Sequence, residues 1–199
     1  MLILGGKMKL LFLFFLLLFV DMCFAKSTTT YEKYRHITSY DVYFQDYSRR
    51  FFGKEFDWKL FKSQAIAESN LNVYAKSSMG AEGLMQLMPK TFKEVAIKCD
   101  HVKGTAYNAQ ANIAAGIFYN KELYELWKTK KGEDRILFML ASYNAGKGNI
   151  IKAQRVALKK GEDPHKWDSI KHSLKDITGE KSKQTLSYVN RVKQIRREI

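Results

Sequence analysis

The chain has 199 residues, 46% of them hydrophobic and 14% aromatic, which is enough for one packed core and suits a single domain. Only two prolines interrupt it, so long stretches are free to be helical and the composition points to an α-rich fold. The formal net charge of +14 bears on partners, not on fold: it favours polyanions such as nucleic acid, anionic membrane or anionic cell wall.

The N-terminus narrows that choice. Lys7 and Lys9 precede an apolar run, Leu10 to Val20, and Cys23-Phe24-Ala25 follows with small residues at positions −3 and −1 of a cut after Ala25. This is the pattern of a secretory signal peptide over 1–25, with the remainder, 26–199, as one catalytic domain. The run is short for a membrane span, and an uncleaved anchor is the alternative reading. Export separates the protein from genomic DNA, and no nucleic-acid-binding motif is present, so no nucleic-acid partner is expected. Cys99 is the one cysteine beyond the leader, which excludes an internal disulfide and leaves the fold to packing.

Ser39–Phe52 is predicted helical, with Asp41 or Ser39 as its start signal and Gly53 as its end. Asp57 is a good N-cap for the next helix, Trp58–Asn70. There Phe61, Ala65 and Glu68 share one stripe, so Glu68 points toward the interior. Residues 71–83 hold Asn, Ser and Gly and read as loop, the only place for a very small β element. A helix is expected from Pro89 to about Cys99, Pro being favourable in a first turn. Asn108–Lys128 reads as a long helix, and Asp134–Tyr143 as another broken by Gly146 and Gly148. Asn149–Lys160 follows. The last is Ser182–Ile199, with Leu186, Val189, Val192 and Ile195 on one face.

Four segments carry the candidate chemistry: Glu68-Ser69; Gly80-Ala81-Glu82-Gly83-Leu84-Met85-Gln86-Leu87-Met88-Pro89; Ala141-Ser142-Tyr143-Asn144-Ala145-Gly146; and Tyr188-Val189. Each has a bland reading alone: a solvated helix-end acid, core methionines with a turn, a helix C-cap, a core tyrosine. Together and in this order they resemble the lytic transglycosylases with a soluble-type (SLT) catalytic domain, a lysozyme-like family. Ser77, Thr91 and Asn112-Ile113-Ala114-Ala115-Gly116 fit the same pattern, and the resemblance runs from about Tyr40 to Val192. The Tyr40-Asp41 start, Asp57-Trp58, Asp134-Arg135 and the Gly161 to Trp167 segment look most like the membrane-bound lytic transglycosylase F type, here without its solute-binding domain. Val73 departs from the proline common at that place and bears on the stiffness of the loop.

The resemblance implies a mainly α, lysozyme-like (goose-type/SLT) domain that cuts peptidoglycan glycan strands, with Glu68 as the one catalytic acid/base. By the same match Ser77, Gln86, Met88, Tyr143 and Tyr188 line the substrate cleft. Ser77 and Gln86 would hydrogen-bond acetamido or hydroxyl groups, and Met88 would pack on a sugar ring. Either Tyr143 or Tyr188 would orient Glu68 or the N-acetyl group. Ser69, Gly83 and Asn144 are structural support, Asn144 fixing local backbone. Glu82 falls where the family accepts varied residues and takes no role.

Most glycosidases use two carboxylates. A single one suffices if the muramic N-acetyl group stabilises the cation and the 6-hydroxyl attacks, giving a 1,6-anhydro end; a water-using muramidase on the same fold and a non-enzymatic glycan-binding module are the other readings. Such an acid must be protonated near neutral pH, so a raised Glu68 pKa is expected from apolar burial. No cofactor is expected: the four histidines are scattered, there is no metal motif and no P-loop. The expected location is the periplasm or cell envelope, and the cationic surface is compatible with peripheral association with the envelope membrane. Nothing in the sequence sets an oligomeric state.

Overall fold

The computed structural model describes residues 31–199, and the proposed leader lies outside the described residues. After a short 3-10 helix, Glu32–His36, come eight α-helices: α1 Asp41–Phe52, α2 Lys59–Ser69, α3 Pro89–Lys98, α4 Ala109–Leu126, α5 Gly132–Ala145, α6 Lys147–Lys159, α7 Trp167–Thr178 and α8 Lys181–Glu198. Among the described residues no strand forms. The β content is two isolated antiparallel bridges, Lys76 with Glu82 and Glu82 with Leu87, within the 71–88 loop. The architecture is the mainly α one expected, down to the very small β element.

α2 runs through the middle of the molecule. Every residue from Leu60 to Ile66 is buried, including Lys62, Ser63 and Gln64. Phe61 and Ala65 are buried and Glu68 is desolvated, as the shared stripe implies, but burial extends around the whole helix, and its polar residues bond within the core. Lys62 donates to Ile37 O at 2.8 Å and pairs with Asp41 at 2.8 Å. The N-cap of α2 is Trp58, one residue later than expected, and Asp57 reaches the helix start from before it, its Oδ1 accepting from Lys59 N at 3.0 Å. The expected start signal of α1 fails, because neither Ser39 nor Asp41 caps it: α1 follows Tyr40 with no side-chain cap. Asp41 instead occupies the first turn, where the helix dipole and Lys62 both favour its charge.

Most helix boundaries shift by one or two residues from the sequence reading. Gly146, at φ +84°, ends α5, but Gly148 lies inside α6 and breaks nothing. α7 was not anticipated. Trp167, Ile170 and Leu174 are buried and Ile177 packs beside them, an interval pattern of a helix with one apolar face, laid against α6. On α8, Val189, Val192 and Ile195 are buried as predicted, but Leu186 is only half-buried while Ser182 and Thr185 are enclosed.

α2 packs against α8, α1 against α4, and α5 touches α4, α6 and α8. Phe61, Phe52, Phe56 and Tyr124 form one aromatic cluster with ring centroids 4.3–5.8 Å apart around the start of α2. Cys99 is a buried free thiol. Among the described residues no helix is long and apolar enough to cross a membrane.

Candidate active site

Glu68 lies in the last turn of α2, and the residues after it build a floor for it. The Ser69 hydroxyl lies 2.8 Å from Leu84 O and 3.1 Å from Ala65 O, which fastens the end of α2 to the 80–89 loop. That loop is pinned from the other side by Asn112, buried in α4. Asn112 Oδ1 accepts from Met85 N at 2.7 Å, and its Nδ2 donates to Ala106 O at 2.8 Å and Glu82 O at 3.1 Å. Gly83, at φ +77°, is forced by this arrangement: a Cβ there would lie 2.2 Å from Ala106 O and 2.4 Å from Asn112 Nδ2. In the sequence Asn112 stands only within the surrounding pattern; its anchoring role arises from the packing of α4 under the loop.

Of the loop residues expected at the cleft, Ser77 and Gln86 are tied to backbone. Ser77 Oγ accepts from Ala81 N at 2.9 Å. Gln86, at φ +47°, donates from Nε2 to Gly83 O at 3.0 Å and Ala75 O at 3.1 Å. Met88 precedes α3 and is 44% exposed. Glu82 pairs with Lys76 at 3.1 Å and bonds to Tyr107, and both interactions hold its pKa below the ordinary carboxylate range.

The two tyrosines have different partners. Tyr143 donates to Met85 O at 2.8 Å and packs on Tyr119 with centroids 5.4 Å apart. Tyr188 is buried, and its hydroxyl closes no hydrogen bond to 3.5 Å, yet it faces Glu68 closely enough to hold that carboxyl's pKa down. Burial, then the Glu68 charge, pushes both phenols well above their usual range. Glu68 itself is raised from 4.5 to about 7. Desolvation is the dominant cause, partly offset by the Tyr188 hydroxyl and the Arg191 charge. Below about pH 7 its carboxyl therefore holds a proton.

Glu68 opens on a cavity of about 550 Å³ between α2 and α8, whose walls include Asn144, Gln184, Ser187, Tyr188 and Arg191. Among the described residues, Glu68 is the only acid on that wall. Asn144 does more than fix local backbone, because its Oδ1 accepts from Thr185 Oγ1 at 3.0 Å and ties α5 to α8 at the cavity edge. The cavity thus gathers Glu68, Asn144 and Tyr188. Ser77, Gln86, Met88 and Tyr143 do not line it; they belong to the loop and to the α4–α5 side. Arg191 was missed in the sequence, although it lies three residues after Tyr188 and so on the same helical face. No group of three or more potential metal ligands occurs among the described residues.

Comparison with known proteins gives this geometry a family. The model of the transglycosylase SLT domain matches residues 51–166. Membrane-bound lytic murein transglycosylase F of Desulfosudis oleivorans is 34% identical over 120 residues, covering 60% of this chain and 25% of that protein. The protein of the same name from Vibrio cholerae is 34% identical over 139 residues, covering 69% of this chain and 24% of its own length. The chain therefore spans about a quarter of the length of these relatives. The crystal structure of the 70-kDa soluble lytic transglycosylase of Escherichia coli superposes with a TM-score of 0.62 at 24% identity, over 81% of this chain and 24% of that one, which establishes a shared fold. With more than half its length matched, the chain belongs to the transglycosylase SLT domain family.

Proposed function

We propose that this protein is a peptidoglycan lytic transglycosylase that breaks the β-1,4 bond between N-acetylmuramic acid and N-acetylglucosamine without water and leaves 1,6-anhydro ends. The observation that carries the reading is one desolvated carboxyl, Glu68, with a pKa of about 7 on the wall of a polar cavity that holds no second acid among the described residues. A two-carboxylate hydrolase needs a partner acid about 5–10 Å away. The next carboxylate after it in the chain, Glu82, is engaged with Lys76 and Tyr107. Family membership and the names of the relatives support the same substrate class.

The chemistry follows from one proton used twice. Protonated Glu68 gives its proton to the glycosidic oxygen as the bond to the muramic C1 breaks, and the leaving sugar departs as an alcohol. The substrate's N-acetyl group stabilises the cationic centre. Glu68, now a carboxylate, takes the proton of the muramic 6-hydroxyl as that oxygen bonds to C1. The acid is restored and no water is consumed. Tyr188 is the orienting tyrosine, because its hydroxyl faces Glu68, whereas that of Tyr143 is spent on Met85 O.

On the loop side, Ser77 has its oxygen occupied and its proton free, so it acts as a donor to sugar oxygens. Gln86 has its amide nitrogen occupied, so it acts through Oε1 as an acceptor from acetamido N–H or hydroxyl groups. Exposed Met88 gives an apolar surface for a sugar ring. The site of action is the cell envelope, reached through the leader at 1–25, with the cationic surface favouring anionic wall or membrane. Glu68→Gln tests the reading: it should abolish the clearing of purified peptidoglycan while sedimentation with it is retained. Clearing by the variant would overturn the assignment of Glu68. Binding without clearing by the unaltered protein would point to a glycan-binding module.

A further inference from the structure

We propose that Arg191 is a receptor for a carboxylate of the substrate, and so a specificity-determining residue on the wall it shares with Glu68. The inference rests on the peptidoglycan reading above and adds the group that is recognised. α8 turns Gln184, Ser187, Arg191 and Gln194 toward the cavity, at intervals of three, four and three residues, a single helical face. The amides and the hydroxyl on this face can meet neutral groups of either polarity. The guanidinium only donates, and its best partner is an anion.

Arg191 lacks such a partner. Its Nε is enclosed without a hydrogen bond. Its Nη2 makes one long contact, 3.4 Å to Asn70 Oδ1, an oxygen that already accepts from Tyr34 Oη at 2.9 Å. A buried N–H left unpaired is costly, and a carboxylate reaching it would relieve that cost. The only acid on the cavity wall among the described residues is Glu68, which must start the reaction protonated and neutral. In that state the wall carries one uncompensated positive charge, and a ligand with a single carboxylate complements it.

The substrate brings that group. The muramic residue beside the scissile bond carries a lactyl ether whose carboxyl is free on a peptide-free strand. On a peptide-bearing strand that carboxyl is an amide, and free carboxylates lie further along the stem. Both sources place a carboxylate on a flexible arm beside the sugar that Glu68 acts on. A neutral N-acetylglucosamine polymer has neither.

The experiment uses four substrates: peptide-bearing strands, peptide-free strands, and each of these after carbodiimide coupling to methylamine, which turns carboxylates into neutral amides. For the unaltered protein, coupling should raise KM about tenfold, with kcat changed far less, as befits one charge-assisted hydrogen-bonded pair. If the effect appears only with peptide-free strands, the lactyl carboxylate is the ligand; if only with peptide-bearing ones, it is the stem. In Arg191→Met the ratio of KM values between coupled and uncoupled strands should fall to about one, and Arg191→Lys should restore part of it. Arg191→Met should also carry activity to higher pH, since a charge that holds the Glu68 pKa down is gone. Equal KM for coupled and uncoupled strands with the unaltered protein overturns the proposal without needing a folded variant, as does a ratio that survives in Arg191→Met. If the unaltered protein cuts nothing, the same ratios read as dissociation constants by calorimetry decide the carboxylate contact, and the failure then falls on the enzymatic reading alone.

Discussion

Glu68 combines a costly environment with a useful one. Its pKa of about 7 against an ordinary 4.5 means that folding opposes ionisation. Below about pH 4.5 the carboxyl is protonated in both folded and unfolded chains and the site costs nothing by this route. As pH rises, the unfolded chain ionises first, and above about pH 7 the folded state bears the full penalty, about 3 kcal/mol. Glu68→Gln should therefore stabilise the protein in alkaline buffer far more than at pH 4, as measured by urea unfolding at the two pH values; an equal effect at both would contradict the shift. Activity should fall as pH rises through about 7, because the proton that begins the reaction is lost.

The tyrosines separate in the same way. Tyr143→Phe breaks a 2.8 Å bond and orphans Met85 O, which should cost about 1–2 kcal/mol in stability. Tyr188→Phe breaks no closed bond, so it should leave the melting temperature nearly unchanged and move the alkaline limb of the activity profile upward. A large loss of stability in Tyr188→Phe with no movement of that limb would assign it to the core alone. In the sequence the ordered pattern around Glu68 was legible and the division of labour between Tyr143 and Tyr188 was not. That division depends on which carbonyl lies within reach of each hydroxyl, and those carbonyls are brought there by other segments.

The elements divide into those whose own residues declare them and those that need a neighbour. α3 begins at Pro89, as expected from first-turn chemistry; α4 begins at Ala109, capped by Asn108, whose side chain accepts from Ala111 N at 2.9 Å. α7 was passed over because Asp, Lys and His dilute its composition, although Trp167, Ile170, Leu174 and Ile177 keep the helical interval. α2 is of the second kind. Its Lys62 and Gln64 are polar yet buried, because Lys62 finds Asp41 and Gln64 finds Asn120 at 2.8 Å, partners distant in sequence.

The 80–89 loop is held by α4, and that coupling is testable. Asn112→Ala removes three hydrogen bonds from an enclosed site and should cost about 3 kcal/mol, a drop of roughly 6–12 °C in melting temperature for a domain of this size. Gly83→Ala should be comparably damaging, since the new methyl meets Ala106 O and the backbone has φ of +77°. Wild-type melting by either variant would show that the loop is not anchored this way.

At the scale of the whole molecule, fold class and family pattern were readable because they rest on ordered local signals, and the cavity was not, because it lies between α2 and α8, whose contact spans more than a hundred residues of chain. Arg191 illustrates the point: its spacing from Tyr188 puts it on the same helical face, but it matters only where α8 brings it beside Glu68. The charge of +14 acts at this scale too. Binding to purified sacculi should weaken as salt rises toward 1 M, where the screening length falls to about 3 Å, and salt-independent binding would remove electrostatics from the account.

A lone, protonated Glu68 should perform cleavage with no water consumed. Digestion of purified peptidoglycan in heavy-oxygen water, followed by mass analysis of the fragments, tests it directly. The account predicts 1,6-anhydro-muramic ends with no heavy oxygen at the cleaved carbon; reducing ends carrying the label would contradict it.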